Sequence, residues 1–181
     1  AEELMNEEGV NGLSLSEVAR RLGVKPPSIY KYFDSLMAIY AALFARGMAD
    51  HLRAMRGAMA DAKPGLDAIA AGFVASGRWC VTHRGLAQLM FFRPVPGFEA
   101  SVGAMKSSEE MVQLQRAALA DAVAAGQLGA GATADEAIWF GSVLVSGVVG
   151  QTGANEPELP WGEGRFNSLM PRLVETLSAL Y

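Results

Sequence analysis

The chain has 181 residues, a net charge of −4, 51% hydrophobic residues and a single cysteine, Cys80. That is enough apolar material for one continuous helical body or two closely joined units, and one thiol excludes an internal disulfide. An acidic total excludes a protein whose whole surface meets nucleic acid. With no secretory leader legible and a lone thiol suited to a reducing compartment, the expected location is the cytoplasm.

In chain order, a first helix is expected to end near Glu8, before Gly9-Val10-Asn11-Gly12. Residues 14–33, SLSEVARRLGVKPPSIYKYF, then read as two short helices joined by a tight turn. Ser14 can cap the first of these, with Glu17 completing a capping box. Val18, Ala19 and Leu22 give an apolar stripe at helical spacing. Gly23 follows where a helix ends in a left-handed residue, and Pro26 stands where a helix begins without need of an N–H. Val24 and Ile29 are expected to fill the space between the two helices, and Phe33 to be core. This is a helix-turn-helix pattern, whose second helix reads a DNA groove. Its charge agrees: Arg20, Arg21, Lys25 and Lys31 against Glu17 give this segment +3 in a chain of −4. A basic tip on an acidic body suits a DNA-contacting head joined to a part with another task. An ordinary solvated basic face is the alternative.

The segment from about residue 4 to 45, with EEGVNGLSLSEVARRLGV followed by PPSIYKYFDS, resembles the DNA-binding domain of the TetR family of bacterial transcriptional regulators. In that family the first helix is longer and follows a basic tail, so the resemblance implies a truncated first helix here. It also implies roles. Lys25, Pro27 and Ser28 would face base edges: Lys25 toward guanine O6 and N7, Pro27 toward a thymine methyl. Tyr30, Lys31 and Tyr32 would meet phosphates, as would Ser14 and Ser16 at the start of the preceding helix. A structural aromatic is the alternative for Tyr30. Leu36 stands where the family has a phosphate-binding lysine, so phosphate contacts fall to other groups.

Beyond the head, strand signals are nearly absent and the fold class is all-α. A fourth helix capped by Asp34 or Ser35 runs to about Asp61, with Leu36, Ile39, Tyr40, Leu43, Phe44 and Met48 on one side. Lys63-Pro64-Gly65 interrupts it. A fifth covers roughly 66–82 and a sixth 86–92, stopped by Pro94-Val95-Pro96-Gly97. A seventh, strongly periodic from a capping box at Ser107 and Glu110, ends at Gly126. The eighth covers about 133–151, started by a capping box at Thr133 and Glu136. The ninth covers 165–180 with a kink at Pro171. Nine helices agree with the architecture the resemblance implies: a DNA-binding domain at 1–46 and a ligand-binding, dimerising domain at 47–181.

Residues 137–155 contain no charge. A membrane span needs about 20 predominantly apolar residues, but Ser142, Ser146, Gln151, Thr152 and four glycines point to a buried or interface helix instead. Phe166, Leu169, Met170, Leu173, Leu177 and Leu180 stripe the last helix, and small residues of the eighth would admit a close neighbour. A homodimer contact through Gly141, Val145, Phe166, Leu169, Leu173 and Leu177 is therefore expected. A stripe facing only its own core is the alternative. A two-fold pair would read an inverted-repeat operator.

A pocket is implied mainly by the resemblance. Trp79, Cys80, His83, Met90, Phe91, Met111, Leu114 and Trp139 are its candidates, large adaptable apolar groups for a small apolar or amphipathic effector. Core packing is the alternative for each. Trp79 and His83, four apart, would form a hydrogen-bonding rim. Catalysis has little support. His51 and His83 lack metal-ligand spacing, no glycine-rich phosphate motif follows a strand, and Cys80 with His83 has no third orienting group. No metal or cofactor is expected. A ligand-responsive repressor is the expected function. The alternative is a small-molecule-sequestering protein or enzyme on the same scaffold with little DNA binding.

Overall fold

The computed structural model describes residues 1–181. All regular structure is helical, and the chain divides into two compact units. One comprises residues 1–49 with 83–106, the other residues 50–82 with 107–181. The division differs from a simple cut near residue 46, because residues 83–106 pack with the N-terminal helices.

The first unit holds α1 (Glu2–Glu8), α2 (Leu15–Arg21), α3 (Pro26–Ile29) and the opening of α4 (Leu36–Ala60). It also takes in α6 (Arg84–Ala87), a single π-turn at Gln88–Phe92, and the first residues of α7 (Val102–Ala124). Its core is built from Leu4, Met5, Val10, Leu13, Val18, Ala19 and Ile29 against Ile39, Tyr40, Leu43, Phe44 and Met48. Those α4 residues recur at the spacing of one helical face. The buried Tyr40 hydroxyl donates to the Val10 carbonyl at 2.7 Å, fixing α4 to the turn before α2. Contact between α1 and α6 is close because Gly85 has no side chain: a Cβ there would lie 2.7 Å from Met5 Cβ. Asn6 Oδ1 accepts from the Gly85 N–H at 2.8 Å, and Glu2 joins His83 Nδ1 at 2.8 Å and Arg46 as well.

The second unit combines the remainder of α4 and α7 with α5 (Leu66–Thr82), α8 (Asp135–Asn155) and α9 (Leu173–Leu180). Ile69, Phe73, Leu119, Ala122, Ile138, Met170 and Leu177 form the centre of its core. Asn167, 1% exposed, ties down the loop before α9. Its Oδ1 accepts from the N–H groups of Gly162 and Gly164 and its Nδ2 donates to the Pro160 carbonyl.

Several expected boundaries move, each for a local reason. The Ser107 capping box lies inside α7, whose first turn is instead capped by Ser101, its Oγ accepting from the Ala104 N–H. Thr133 does not cap α8: its hydroxyl donates to the Ala130 carbonyl within a 3-10 turn, and Ala134 holds the cap position. Pro171 lacks the N–H an α-helix needs, so Asn167–Arg172 is a 3-10 segment and α9 starts only at Leu173. Leu22, expected on the apolar stripe with Val18 and Ala19, is 65% exposed, and Val24, expected to fill the space between α2 and α3, is 41% exposed. Phe33, also expected in the core, is half-buried.

Candidate functional site

The N-terminal unit presents an exposed tip made by local rules. Ser14 Oγ accepts from the Glu17 N–H at 3.2 Å, a cap that stabilises α2 by about 1 kcal/mol. Gly23 takes φ +68, the left-handed turn residue between α2 and α3. Pro26 opens α3, which extends only four residues. The consequence is that Ile29 points inward while Lys25, Pro27, Tyr30, Lys31 and Tyr32 lie exposed. Tyr30 is 51% and Tyr32 82% exposed, which sets both outside the core. Ser16 is exposed, and Ser14 and Ser28 are half-buried.

Arginine contributes less positive charge to this face than composition suggests. Glu17 accepts from Arg20 at 2.6 and 2.7 Å and from Arg21 at 3.0 Å, and Arg21 also reaches Glu7 at 2.6 Å. Hydrogen bonds from Arg20 and then Arg21 hold the Glu17 carboxyl down at about 2. The tip's charge therefore rests on Lys25 and Lys31.

The C-terminal unit encloses a small apolar cavity of about 10 Å³ among Met55, Met59, Ile69, Gly72, Phe73, Gln115, Leu119, Ala137, Ile138, Gly141 and Leu177. That is room for roughly one water. Its walls are adaptable, because two methionines line it. Gly141 belongs here: a Cβ would lie 3.1 Å from Phe73 Cζ.

One helical turn from the cavity lies a polar layer. His51 is four residues before Met55 on α4, Ser76 four after Gly72 on α5, and Met111 four before Gln115 on α7. His51 Nε2 meets Ser76 Oγ at 2.8 Å and its Nδ1 meets Met111 Sδ at 3.1 Å. A thioether only accepts, so a hydrogen bond to Met111 needs the proton on Nδ1, while the Ser76 hydroxyl faces Nε2. The Trp79 ring lies 5.0 Å from the imidazole. Burial pulls His51 down to about 4, so it is neutral at pH 7. Burial pushes Cys80 up to about 12, a hydrogen bond with Ser76 opposing that shift, so the thiol is inert.

The expected pocket residues separate. Trp79, Cys80 and Met111 belong to this polar layer. His83, Met90 and Phe91 fall in the other unit. His83 is the N-cap of α6, outside α5, so the shared helix face with Trp79 does not exist. Met90 is buried beside Gly47, and Phe91 is 40% exposed. Leu114 is half-buried, while Trp139 is 66% exposed on α8. The expected contact residues also separate. Gly141, Leu173 and Leu177 are enclosed by their own protomer, Val145 and Phe166 are half-buried, and Leu169 is 42% exposed. What remains uncovered is a stripe of α8, where Trp139 and Val143 are each 66% exposed, with Leu180 of α9 57% exposed. Helix α8 is long and apolar enough to cross a membrane by length and composition, and its most apolar window is only 22% buried.

Residues 1–43 match the family profile described as bacterial regulatory proteins, tetR family. Residues 1–43 thus resemble the DNA-binding head of TetR-family regulators. The uncharacterized HTH-type transcriptional regulator YobS of Bacillus subtilis (strain 168) is 44% identical over 48 residues. That match covers 26% of this chain and a quarter (25%) of YobS. Two solved structures share the fold over nearly the full length. A Rhodococcus sp. RHA1 protein of unknown function aligns at TM-score 0.80 with 23% identity, covering 99% of this chain and 90% of that one. The transcriptional regulator FadR from Bacillus subtilis, solved in complex with stearoyl-CoA, aligns at 0.75 with 16% identity, covering 99% and 94%. At these identities the likeness carries the fold alone.

The sequence alone did not point to Ser76, to His51 as part of a polar layer, or to Met55 and Met59 in the cavity wall. A signal for His51 existed. It lies three after Met48 and four before Met55, on the buried stripe of α4.

Proposed function

We propose that the chain is a homodimeric TetR-family repressor that leaves an inverted-repeat operator when a small apolar or amphipathic effector enters the C-terminal unit. The observation that carries this reading is the matched head with Lys25, Tyr30, Lys31 and Tyr32 exposed at its tip. Lys25 and Ser28 donate to base edges and Pro27 packs on a thymine methyl. Tyr30, Lys31, Tyr32, Ser14 and Ser16 hold phosphates and set the register.

Pairing is supported by the bare α8 stripe, since contiguous apolar surface of this kind marks an interaction site. Asp135, Glu136 and four glycines in α8, together with its inner face of Ala137, Ile138 and Gly141 buried in the protomer, favour a second copy over a lipid bilayer. The effector reading is supported by the methionine-lined cavity and by the fold shared with a regulator solved with stearoyl-CoA. Helix α4 contributes residues to both units, so an effector favouring one of its arrangements shifts DNA affinity by its differential affinity for the two.

Salt-resolved binding measurements test the head. Lys25→Ala lowers affinity for the preferred operator by about 1–3 kcal/mol and relaxes base preference, whereas Lys31→Ala weakens binding to all sequences alike and flattens the salt slope by about 1. Unchanged binding in both variants overturns the reading. The arginines held by Glu17, and Leu36 in place of a family lysine, favour a second reading: a sequestering protein or enzyme on this scaffold. Tight ligand binding with no DNA recovered from a genomic digest would select it.

A further inference from the structure

We infer that Glu17 restrains the grip of the head on DNA of any sequence, by occupying the Arg20 guanidinium that would otherwise meet a phosphate. The inference rests on the DNA-binding reading above and concerns how tightly that head holds a duplex.

Arg20 stands where a phosphate contact is wanted. Ser16 and Arg20 are four apart on α2, so they share one face of the helix. Both are exposed, the Arg20 side chain at 72%. Ser16 is one of the residues assigned above to phosphates. Arginine suits such a contact best, since two of its N–H groups fit two phosphate oxygens at once.

In the free head those N–H groups are taken. Arg20 Nε–H donates to Glu17 Oε2 at 2.7 Å and Nη2–H to Glu17 Oε1 at 2.6 Å, the two-point contact a phosphate would make. The Nη1 edge stays open, but the adjacent carboxylate cancels the charge it would offer to DNA. Arg21 is no substitute, being pinned by Glu17 at 3.0 Å and Glu7 at 2.6 Å, with Glu8 at 3.6 Å. Three carboxylates against two guanidiniums leave this patch at −1. Arg20 hydrogen-bonds Glu17 alone, so loss of that carboxylate frees Arg20 while Arg21 keeps Glu7 and Glu8.

The pair is also dispensable to the fold. An exposed ion pair contributes little to stability, and the Ser14 cap uses the Glu17 backbone N–H, not its side chain. Glu17→Gln therefore changes the charge without dismantling α2. Phosphate contacts carry no sequence information, so the gain should be the same on every duplex.

The test measures binding of the full chain, by fluorescence anisotropy, to two unrelated mixed-sequence duplexes of about 30 base pairs, long enough for a paired reader. Salt is varied from about 50 to about 200 mM. Glu17→Gln is expected to bind both duplexes at least about threefold more tightly at the lower salt, with a slope steeper by about 0.9, the value of one added phosphate contact. Adding Arg20→Gln to that variant should remove both gains. Glu3→Gln makes the same change in net charge at an exposed site of α1 that pairs with no arginine, and should stay near wild type. An unchanged affinity and slope in Glu17→Gln, gains that survive Arg20→Gln, or equal gains in Glu3→Gln each overturn the inference and leave DNA binding standing. No binding of either duplex by wild type or variant overturns the DNA-binding reading as well.

Discussion

Replacing Trp139 and Val143 together by glutamate is expected to leave a folded protomer that no longer pairs. Both side chains are 66% exposed, so in the isolated protomer the charges stay in water and stability should change by no more than about 1 kcal/mol. Across a two-fold contact the same charges would face one another in an apolar seam, where burial without partners is prohibitive. Sedimentation should report a dimer for wild type and a monomer for the double variant at the same concentration. Operator affinity should fall with it. A single tip of a four-residue α3 reads one half-site, and losing the linked second tip removes roughly 10²–10⁴-fold of avidity. A variant that remains dimeric and keeps its operator affinity would place the subunit contact elsewhere.

Acid should destabilise the C-terminal unit well above the range where carboxylates titrate. His51 protonates near 4 in the folded chain because burial disfavours its charge, and near 6.5 when unfolded. The unfolded chain therefore binds the proton more readily, and stability falls as pH drops from about 6.5 toward 4. The full difference is about 3 kcal/mol, with about 2 kcal/mol already lost by pH 5. Among the neighbours, Cys80 stays a neutral thiol throughout and Ser76, Trp79 and Met111 do not titrate. Glu17 and Glu156, both held low by arginine hydrogen bonds, add losses only as pH falls from the usual carboxylate value of 4.5 toward their lower folded values. Urea midpoints measured from pH 7.5 to 5 should therefore slope steeply in wild type and flatten in His51→Gln. Parallel slopes in the two proteins would show that His51 is not the group concerned.

The head was legible because its determinants are local. Ser14, Gly23 and Pro26 each fix a backbone feature within a few residues, and the structure uses all three. The same local logic failed at Ser107 and Thr133. A serine or threonine three residues before a glutamate also occurs inside helices and in 3-10 turns, and only the preceding chain decides which. Leu22 obeyed helical spacing yet lies in water, at the C-cap where α2 has already ended. The polar layer around His51 was less legible for a different reason. His51 meets groups 25 and 60 positions away, brought together by α5 and α7. Periodicity marks which residues of a helix face inward but not which inward faces meet. Likewise, the α9 stripe signalled burial, and only the packed core reveals that Leu173 and Leu177 are satisfied within their own protomer while Trp139 and Val143 are not.

The most direct measurement is selection of bound duplexes from a random-sequence pool by the purified full chain, followed by footprinting of the enriched site. Recovery of an inverted repeat, protected at two half-sites about one helical turn apart and no longer enriched by Lys25→Ala, is the predicted result. Recovery of no preferred sequence at low salt, or of a single asymmetric site held by one protomer, would contradict the account.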